Sequence, residues 1–144
     1  MTEAVEVAIE LALMGRAQAF AAAQSLGIAL PNIAYTPPTV SATAKYLRAS
    51  FLPADTNTLA VGVGSDQHYG MLQLDVVFGN GGGEIAPARI VAAIISYFKR
   101  DTLMTSNGFN VRVSKTPYRG PQLLDGAWTF IPVRIPYNSF ANPA

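Results

Sequence analysis

The stretch YGMLQLDVVF–GNGGGE–IAPARIVAAIISYFKR, residues 69–100, has the clearest structural pattern in the sequence. In Tyr69–Phe78 apolar and polar residues alternate, which is the period of a strand with one buried face. The glycine-rich segment Gly79–Glu84 predicts a turn. From Ala86 to Arg100 the apolar residues recur at helical spacing, with Pro87 suited to the first turn. We therefore expect a strand, a turn and an amphipathic helix that packs back on the strand.

Composition limits the possible functions of the 144 residues. Half of the residues are hydrophobic and only 13% are charged, so we expect apolar surface to be buried against other chains. A net charge of +1 excludes a strongly basic nucleic-acid binder. Without cysteine, disulfides and thiolate metal sites are excluded. Acidic residues precede the first arginine and no apolar run approaches a membrane span, which favours a cytoplasmic protein or a particle assembled in the cytoplasm.

The N-terminal segment Thr2–Gln24 predicts a helix, with Thr2 as N-cap and a candidate kink or interruption at Gly15. This helix has two apolar sides. One side consists of Val5, Ile9, Leu13 and Phe20, and the other of Val7, Leu11 and Met14. In a domain of this size the second side is expected to touch a partner.

The remaining segments predict an antiparallel sheet. Ahead of the central stretch, Ala44–Leu52 is a strand and Pro53–His68 a long connection with a possible short strand at Leu59–Val63. After it come a connection, a strand, a loop and a last strand: Asp101–Asn107, Gly108–Ser114, Thr116–Leu124 and Trp128–Tyr137. Pro132 and Pro136 place the last strand at a sheet edge or in a bulge, because proline cannot donate to a ladder. Residues 137–144 are expected to form a flexible tail.

The predicted fold is therefore one α+β domain over residues 1–144. It consists of a mostly antiparallel β-sheet, with an N-terminal helix and a second helix packed on one face.

The sequence gives little support for a catalytic function. Gly79–Glu84 lacks the lysine and hydroxyl residue that a phosphate loop requires, so a structural turn is favoured. The only histidine, His68, has Ser65 and Asp66 too close in sequence for a triad, and zinc would lack its usual ligands. Of the candidate carboxylates Asp66, Asp75 and Glu84, Asp75 fits solvation on the polar face of a strand and Glu84 fits helix capping. We expect no enzyme, no cofactor and no metal.

Basic residues form at most a weak positive face. They are Arg48, Arg112, Lys115, Arg119 and Arg134. Salt bridges or subunit contacts explain such scattered cations best, although they could also line a pore through which nucleic acid slides. Tyr118 and Trp128 could anchor an interface, and Trp128 is equally compatible with the core.

Five segments in order resemble the tail-terminator-like, or tail-completion, proteins of tailed phages and prophages. They are NIAYTPP (Asn32–Pro38), YLRASFLP (Tyr46–Pro53), HYGMLQLDVVF (His68–Phe78), FNVRV (Phe109–Val113) and DGAWTFIPVRIPY (Asp125–Tyr137). The resemblance implies an α+β protomer that forms a ring, generally a hexamer, at the head-proximal end of the tail tube. There it would end tube polymerisation and receive the head connector, after assembly in the bacterial host cytoplasm. The family has no catalytic residues to transfer.

A ring requires one patch of a protomer to meet a different patch of its neighbour. We predict that Pro53–His68 and Thr116–Leu124 reach neighbouring subunits or stacked rings, and that polar strand faces line the channel, with DNA only as passing cargo. The predicted subunit-interface residues are Val7, Leu11, Met14, Asp66, His68, Tyr118 and Arg119. The predicted channel-facing residues are Arg48, Arg112 and Arg134.

Two alternatives remain open from the sequence. One is another part of the same particle, such as a tail tube, connector or baseplate protein. The other is a small enzyme or ligand-binding domain that uses the Gly79–Glu84 turn.

Overall fold

A computed structural model describes residues 4–58 and 66–141 of the chain. Over these ranges the protein forms two helices and nine strands. The helices are α1 (Val5–Ala23) and α2 (Ile85–Tyr97). The strands are β1 (Ile28–Ala29), β2 (Lys45–Pro53), β3 (Asn57–Thr58), β4 (Asp66–Gly79), β5 (Leu103–Ser106), β6 (Phe109–Val113), β7 (Tyr118–Arg119), β8 (Leu123–Asp125) and β9 (Trp128–Ala141).

All nine strands belong to one sheet, whose main order is β1-β2-β4-β9-β6-β5. The short strand β3 pairs with β4, while β7 and β8 pair with β9 beside β6. Strand β1 runs parallel to β2, and the other pairs are antiparallel. Strands β4 and β9 pair along their full lengths and form the centre of the sheet.

The two helices bury their apolar residues in one core cluster with a single face of the sheet, which we call the core face. Its central residues are Leu72, Leu74, Val76, Ile131, Val133 and Ile135. The opposite face, which neither helix covers, is called the outer face. The predicted α+β class, with a mostly antiparallel sheet and helices on one face, is confirmed.

The central unit of β4, glycine turn and α2 forms as expected. Apolar residues of β4 at alternate positions are buried, and α2 buries Ile90, Val91 and Ile94 against them. Strand β4 begins at Asp66, so the end of the predicted connection Pro53–His68 belongs to the sheet. The predicted short strand Leu59–Val63 lies outside the described residues.

Helix α1 corrects two details of the prediction. It begins at Val5 after Ala4, which makes no side-chain capping hydrogen bond, while Thr2 lies outside the described residues. The helix is also continuous through Gly15, so the predicted interruption is wrong. The local cost of a glycine, about 1 kcal/mol, is smaller than the gain from burying Leu13 and Ala17 on either side of it.

The C-terminal part of α1 is tied to the end of α2. Arg16 donates a hydrogen bond through Nη2 to the Tyr97 carbonyl oxygen, and its guanidinium lies 4.1 Å from the centre of the Tyr97 ring. The ring of Phe20 packs 5.4 Å from the same tyrosine. A cation at the negative end of α2 is favourable, because the last carbonyl groups of a helix lack partners.

The predicted connection Asp101–Asn107 contains a strand that the sequence reading missed. Strands β5 and β6 form a hairpin around Asn107 and Gly108, both with positive φ, 50° and 81°. Two such residues make the type I′ turn that joins twisted strands. The Asn-Gly pair was therefore the available signal.

The prediction that Trp128–Tyr137 lies at a sheet edge is wrong, since β9 is flanked on both sides. Its second side is shared among three short strands, and the two prolines fall between them. The carbonyl oxygens of Pro132 and Pro136 accept hydrogen bonds from Gly120 and Ser114 on that side. Because the nitrogen and carbonyl of a strand residue point the same way, the missing donors face the gaps between partners.

Two predicted irregular segments are partly regular. The loop Thr116–Leu124 contains β7 and the first residues of β8. The predicted tail over residues 137–144 continues in β9 to Ala141, paired with β4, and the last three residues lie outside the described part. Long pairing with β4 extends the strand beyond the apolar pattern that the sequence shows.

Candidate functional site

The outer face of the sheet carries all three arginines that were predicted to face a channel. Arg48 lies opposite Asp75, Arg134 opposite Gln73, and Arg112 opposite Asn138, four residues further along β9 than Arg134. Directly paired residues of neighbouring strands point to the same side of a sheet. The structure therefore brings these three side chains onto one surface.

A chain of polar contacts crosses the outer face from β2 to β9. Arg48 Nε donates to Asp75 Oδ2 at 2.9 Å, and Gln73 Nε2 donates to Asp75 Oδ1 at 2.9 Å. Arg134 Nε reaches Gln73 Oε1 at 3.5 Å. Asp75 is 3% exposed, so its predicted solvated state is wrong. A carboxylate so deeply buried requires a paired cation, which Arg48 supplies.

The cations of the outer face thus differ in their pairing. Arg48 is neutralised by Asp75, and its guanidinium also lies 4.7 Å from the centre of the Phe130 ring. Arg112 is exposed and Arg134 half-buried, and within residues 4–58 and 66–141 neither forms an ion pair. Of the three arginines, Arg112 and Arg134 therefore carry the uncompensated positive charge of this surface.

A second surface lies on the side of α1 that faces away from the core. Val7 is 43% exposed and Leu11 51%, as expected for the second apolar side of this helix. Met14 lies partly buried beside them. Together with the segment that follows β1, they form the α1 groove, which encloses about 290 Å³. Its lining residues are Val7, Glu10, Leu11, Met14, Gln18, Leu30, Pro31 and Ile33.

A third surface is the β7–β8 edge, Tyr118–Asp125, which pairs with β9. Tyr118 lies half-buried on the outer face, where its hydroxyl approaches Met71 Sδ at 4.0 Å, and Arg119 is exposed. Beyond them Leu123 is 45% and Leu124 77% exposed. Sequence reading assigned these leucines to a loop. Two adjacent leucines in a polar, proline-flanked segment were the available signal.

Asp66 and His68, the other predicted interface residues, lie apart from the α1 groove and from the β7–β8 edge. They are half-buried at the start of β4, where His68 Nδ1 and Thr56 Oγ1 are 3.4 Å apart. His68 also lines a shallow depression with Glu6 near the start of α1. The predicted interface set is therefore divided among three places rather than gathered into one patch.

Other segments of the protein pack closely against the glycine-rich turn Gly79–Glu84. A side chain at Gly79 or Gly82 would collide with the carbonyl oxygen of Ser41 or Ala42, so both glycines permit close approach of the preceding loop. Asn80 donates to the Gly126 carbonyl oxygen and accepts from Thr129 Oγ1, which ties the turn to the β8–β9 connection. These contacts give the turn a structural role.

The cavities and side-chain clusters offer no focus for catalysis in the part of the chain that the structure describes. A cavity of about 670 Å³ near Leu52 and Tyr69 is lined by apolar, tyrosine, serine and amide side chains. Across residues 4–58 and 66–141 no group of three or more histidine, aspartate or glutamate residues could hold a metal ion. Neither described helix combines the length and apolarity that crossing a membrane requires.

Comparison with known proteins adds a family. Residues 8–137 match the family model described as phage tail terminator protein. Three solved chains match significantly. One solved structure is 29% identical in sequence, covers 94% of this chain and 96% of its own, and superimposes with a TM-score of 0.75. No curated protein sequence matches significantly.

Proposed function

Because the chain belongs to the phage tail terminator family, we propose that it forms a ring at the head-proximal end of a phage tail tube. There it ends polymerisation of the tube protein and joins the tail to the head connector. The observation that carries the proposal is the extent of the family match, which runs from α1 to β9. A structural role in the virion tail follows from the family, and the ring and its position are the proposal.

The outer face is the surface that suits the channel of such a ring. Both helices lie on the core face, so the outer face is free to turn towards the axis. A lumen rich in free cations would hold the phosphates of DNA. Pairing of Arg48 with Asp75 leaves Arg112 and Arg134 as the contributing charges of the predicted set, which favours passage of DNA as cargo over tight binding.

The remaining surfaces are assigned to protein partners. The α1 groove and Tyr118 with Arg119 make contacts between copies, in a ring that is a hexamer by analogy with the family. Asp66 and His68, at the end of the sheet, contact the stacked tube protein or the connector. No membrane partner is proposed, and the ring assembles in the cytoplasm of the bacterial host.

Electron microscopy of particles made without this protein tests the function. Loss of a terminator gives tails of variable, excessive length that fail to join heads, because nothing stops tube growth. Absent tails would instead indicate a tube or baseplate protein, and tails of normal length without heads a connector. Complementation with the intact gene should restore uniform joined tails.

Sedimentation of the purified chain tests the ring separately. The proposal predicts a closed oligomer, visible as rings in negative stain, because the exposed apolar side chains of α1 and β8 need cover. A monomer at every concentration up to those of assembly would overturn the ring.

A further inference from the structure

The α1 groove and the β7–β8 edge are separate patches of the protomer with no residue in common. The groove is completed by Leu30, Pro31 and Ile33, which directly follow the edge strand β1. The β7–β8 edge lies beyond β9, with β2 and β4 in between. Two different patches of one protomer are what a head-to-tail contact uses, and such contacts form rings where the rotation closes.

The shape of β8 fits a groove better than a flat surface. All three residues of β8 are exposed, and the strand pairs only with β9 among the described residues. Leu123 and Leu124 are consecutive, so their side chains point to opposite sides of the strand. A flat partner would cover one of them. A groove can enclose the projecting edge from both sides.

Charge favours the same pairing and opposes the symmetric ones. Glu10 is the one charged residue among those that line the α1 groove. On the other surface Arg119 is exposed and Lys115 lies just before β7, while Asp125 stands at the far end beside the turn. Groove against groove would bring glutamates together, and edge against edge would bring the cations together.

We propose that the α1 groove of one protomer receives the β7–β8 edge of a second copy of this chain, with Leu123 and Leu124 as the apolar anchors. This contact deepens the proposed ring function and rests on it. Apolar anchors in a groove with charges at the rim are the usual anatomy of a stable interface.

The absence of cysteine from the sequence allows a direct test by disulfide formation. Leu11→Cys and Leu124→Cys are made in separate, differently tagged chains and mixed under mild oxidation. We expect a covalent dimer that contains both tags, and no covalent dimer from either variant alone, because a disulfide needs the two Cβ atoms about 4 Å apart. A chain with both substitutions should give a ladder that ends at the ring number.

Ile85→Cys is the matched control, since Ile85 is apolar and 67% exposed at the start of α2. Mixed with Leu11→Cys it should give no bond. A covalent dimer of Leu11→Cys with itself would overturn the pairing in favour of a symmetric contact. Rings that form without the Leu11–Leu124 bond would overturn this contact and leave the ring intact, whereas a monomer in sedimentation overturns both.

Leu124→Glu provides a test that does not depend on disulfide geometry. Its side chain is 77% exposed in the protomer, so the thermal midpoint of the dissociated chain should not change. Self-association should weaken about tenfold or more, because the anchor then carries a charge into an acidic groove. Ile85→Glu should associate normally. Normal rings from Leu124→Glu would overturn the proposal.

Discussion

Asp75 is buried although its position in the sequence pattern predicts exposure, and its contacts stabilise the sheet. Its position on the polar side of a strand predicted a solvated carboxylate, yet it is 3% exposed and held by Arg48 and Gln73. Arg48 keeps about a third of its side chain in solvent. The pair therefore joins two strands while leaving one partner accessible at the outer face.

Removing the Arg48 cation should show how much free energy it costs to bury an unpaired Asp75 carboxylate. We expect Arg48→Met to lower the free energy of unfolding by about 2–3 kcal/mol, because the Asp75 carboxylate then lacks its paired charge. Urea denaturation of the dissociated chain measures the loss. The double variant Arg48→Met/Asp75→Asn should recover part of it, since no charge remains buried.

Arg100→Met is the matched control for that experiment. Its ion pair with Asp101 spans 3.8 Å and both side chains are about two-thirds exposed, so the variant should cost at most about 0.5 kcal/mol. Equal effects of Arg48→Met and Arg100→Met would contradict the role assigned to burial.

Tyr137 gives the protein a stability limit at high pH. Burial, followed by the charge of Glu10, raises the pKa of Tyr137 from the ordinary 10.0 to about 12. The folded state holds the phenol proton more tightly than the unfolded state, so this contribution is complete below pH 10 and is lost as pH rises towards about 12. We expect a loss of up to about 2.5 kcal/mol, measured by unfolding at stepped pH.

Tyr137→Phe identifies the residue responsible. This variant should keep the stacking on Phe51, at 5.7 Å between ring centres, and should show a smaller decline between those pH values. The same decline in both chains would assign the effect to other groups, among them Tyr35, whose pKa is raised by burial and by Tyr46.

At the level of elements, the glycine turn has no room for a side chain at Gly82, whereas α1 has room for one at Gly15. A methyl group at Gly82 meets the Ala42 carbonyl oxygen, whereas one at Gly15 meets no atom within 4 Å. We expect Gly82→Ala to destabilise the chain by about 1–3 kcal/mol through overpacking. Gly15→Ala should stabilise it by about 0.5–1 kcal/mol through helix propensity.

Thermal or urea unfolding of the two alanine variants measures both changes in stability, which are expected to have opposite signs. A destabilised Gly15→Ala would indicate a constraint on α1 that the isolated protomer does not show. A neutral Gly82→Ala would mean that the loop before β2 can move away from the turn.

The sequence predicted those elements whose signals are local. The alternation in β4 and the helical spacing in α2 were sufficient, because each element buries one face in the same core. It missed β5, although Asn107–Gly108 marks the hairpin, and it placed β9 at an edge or in a bulge. A proline excludes a donor, but only the tertiary structure shows that both missing donors face gaps between partner strands.

At the scale of the whole molecule, the sheet separates a helix-covered side from an open, polar side. Sequence reading found residues on each of the proposed contact surfaces, because the second apolar side of α1 and the scattered arginines are visible in the pattern. It could not find Leu123, Leu124 or Ile33. Their exposure depends on how β8 and the segment after β1 project from the folded chain.

The division of one side of β9 among three short partners has a consequence for how the chain tolerates change in length. Each partner is bonded to its own stretch of β9, so extra residues between two of them need not shift the register of either. Lys115 and Thr116, exposed between β6 and β7, form such a junction. A peptide inserted there is expected to leave the long ladder between β4 and β9 in place while it obstructs the proposed contact between copies, so it would separate a loss of assembly from a loss of folding.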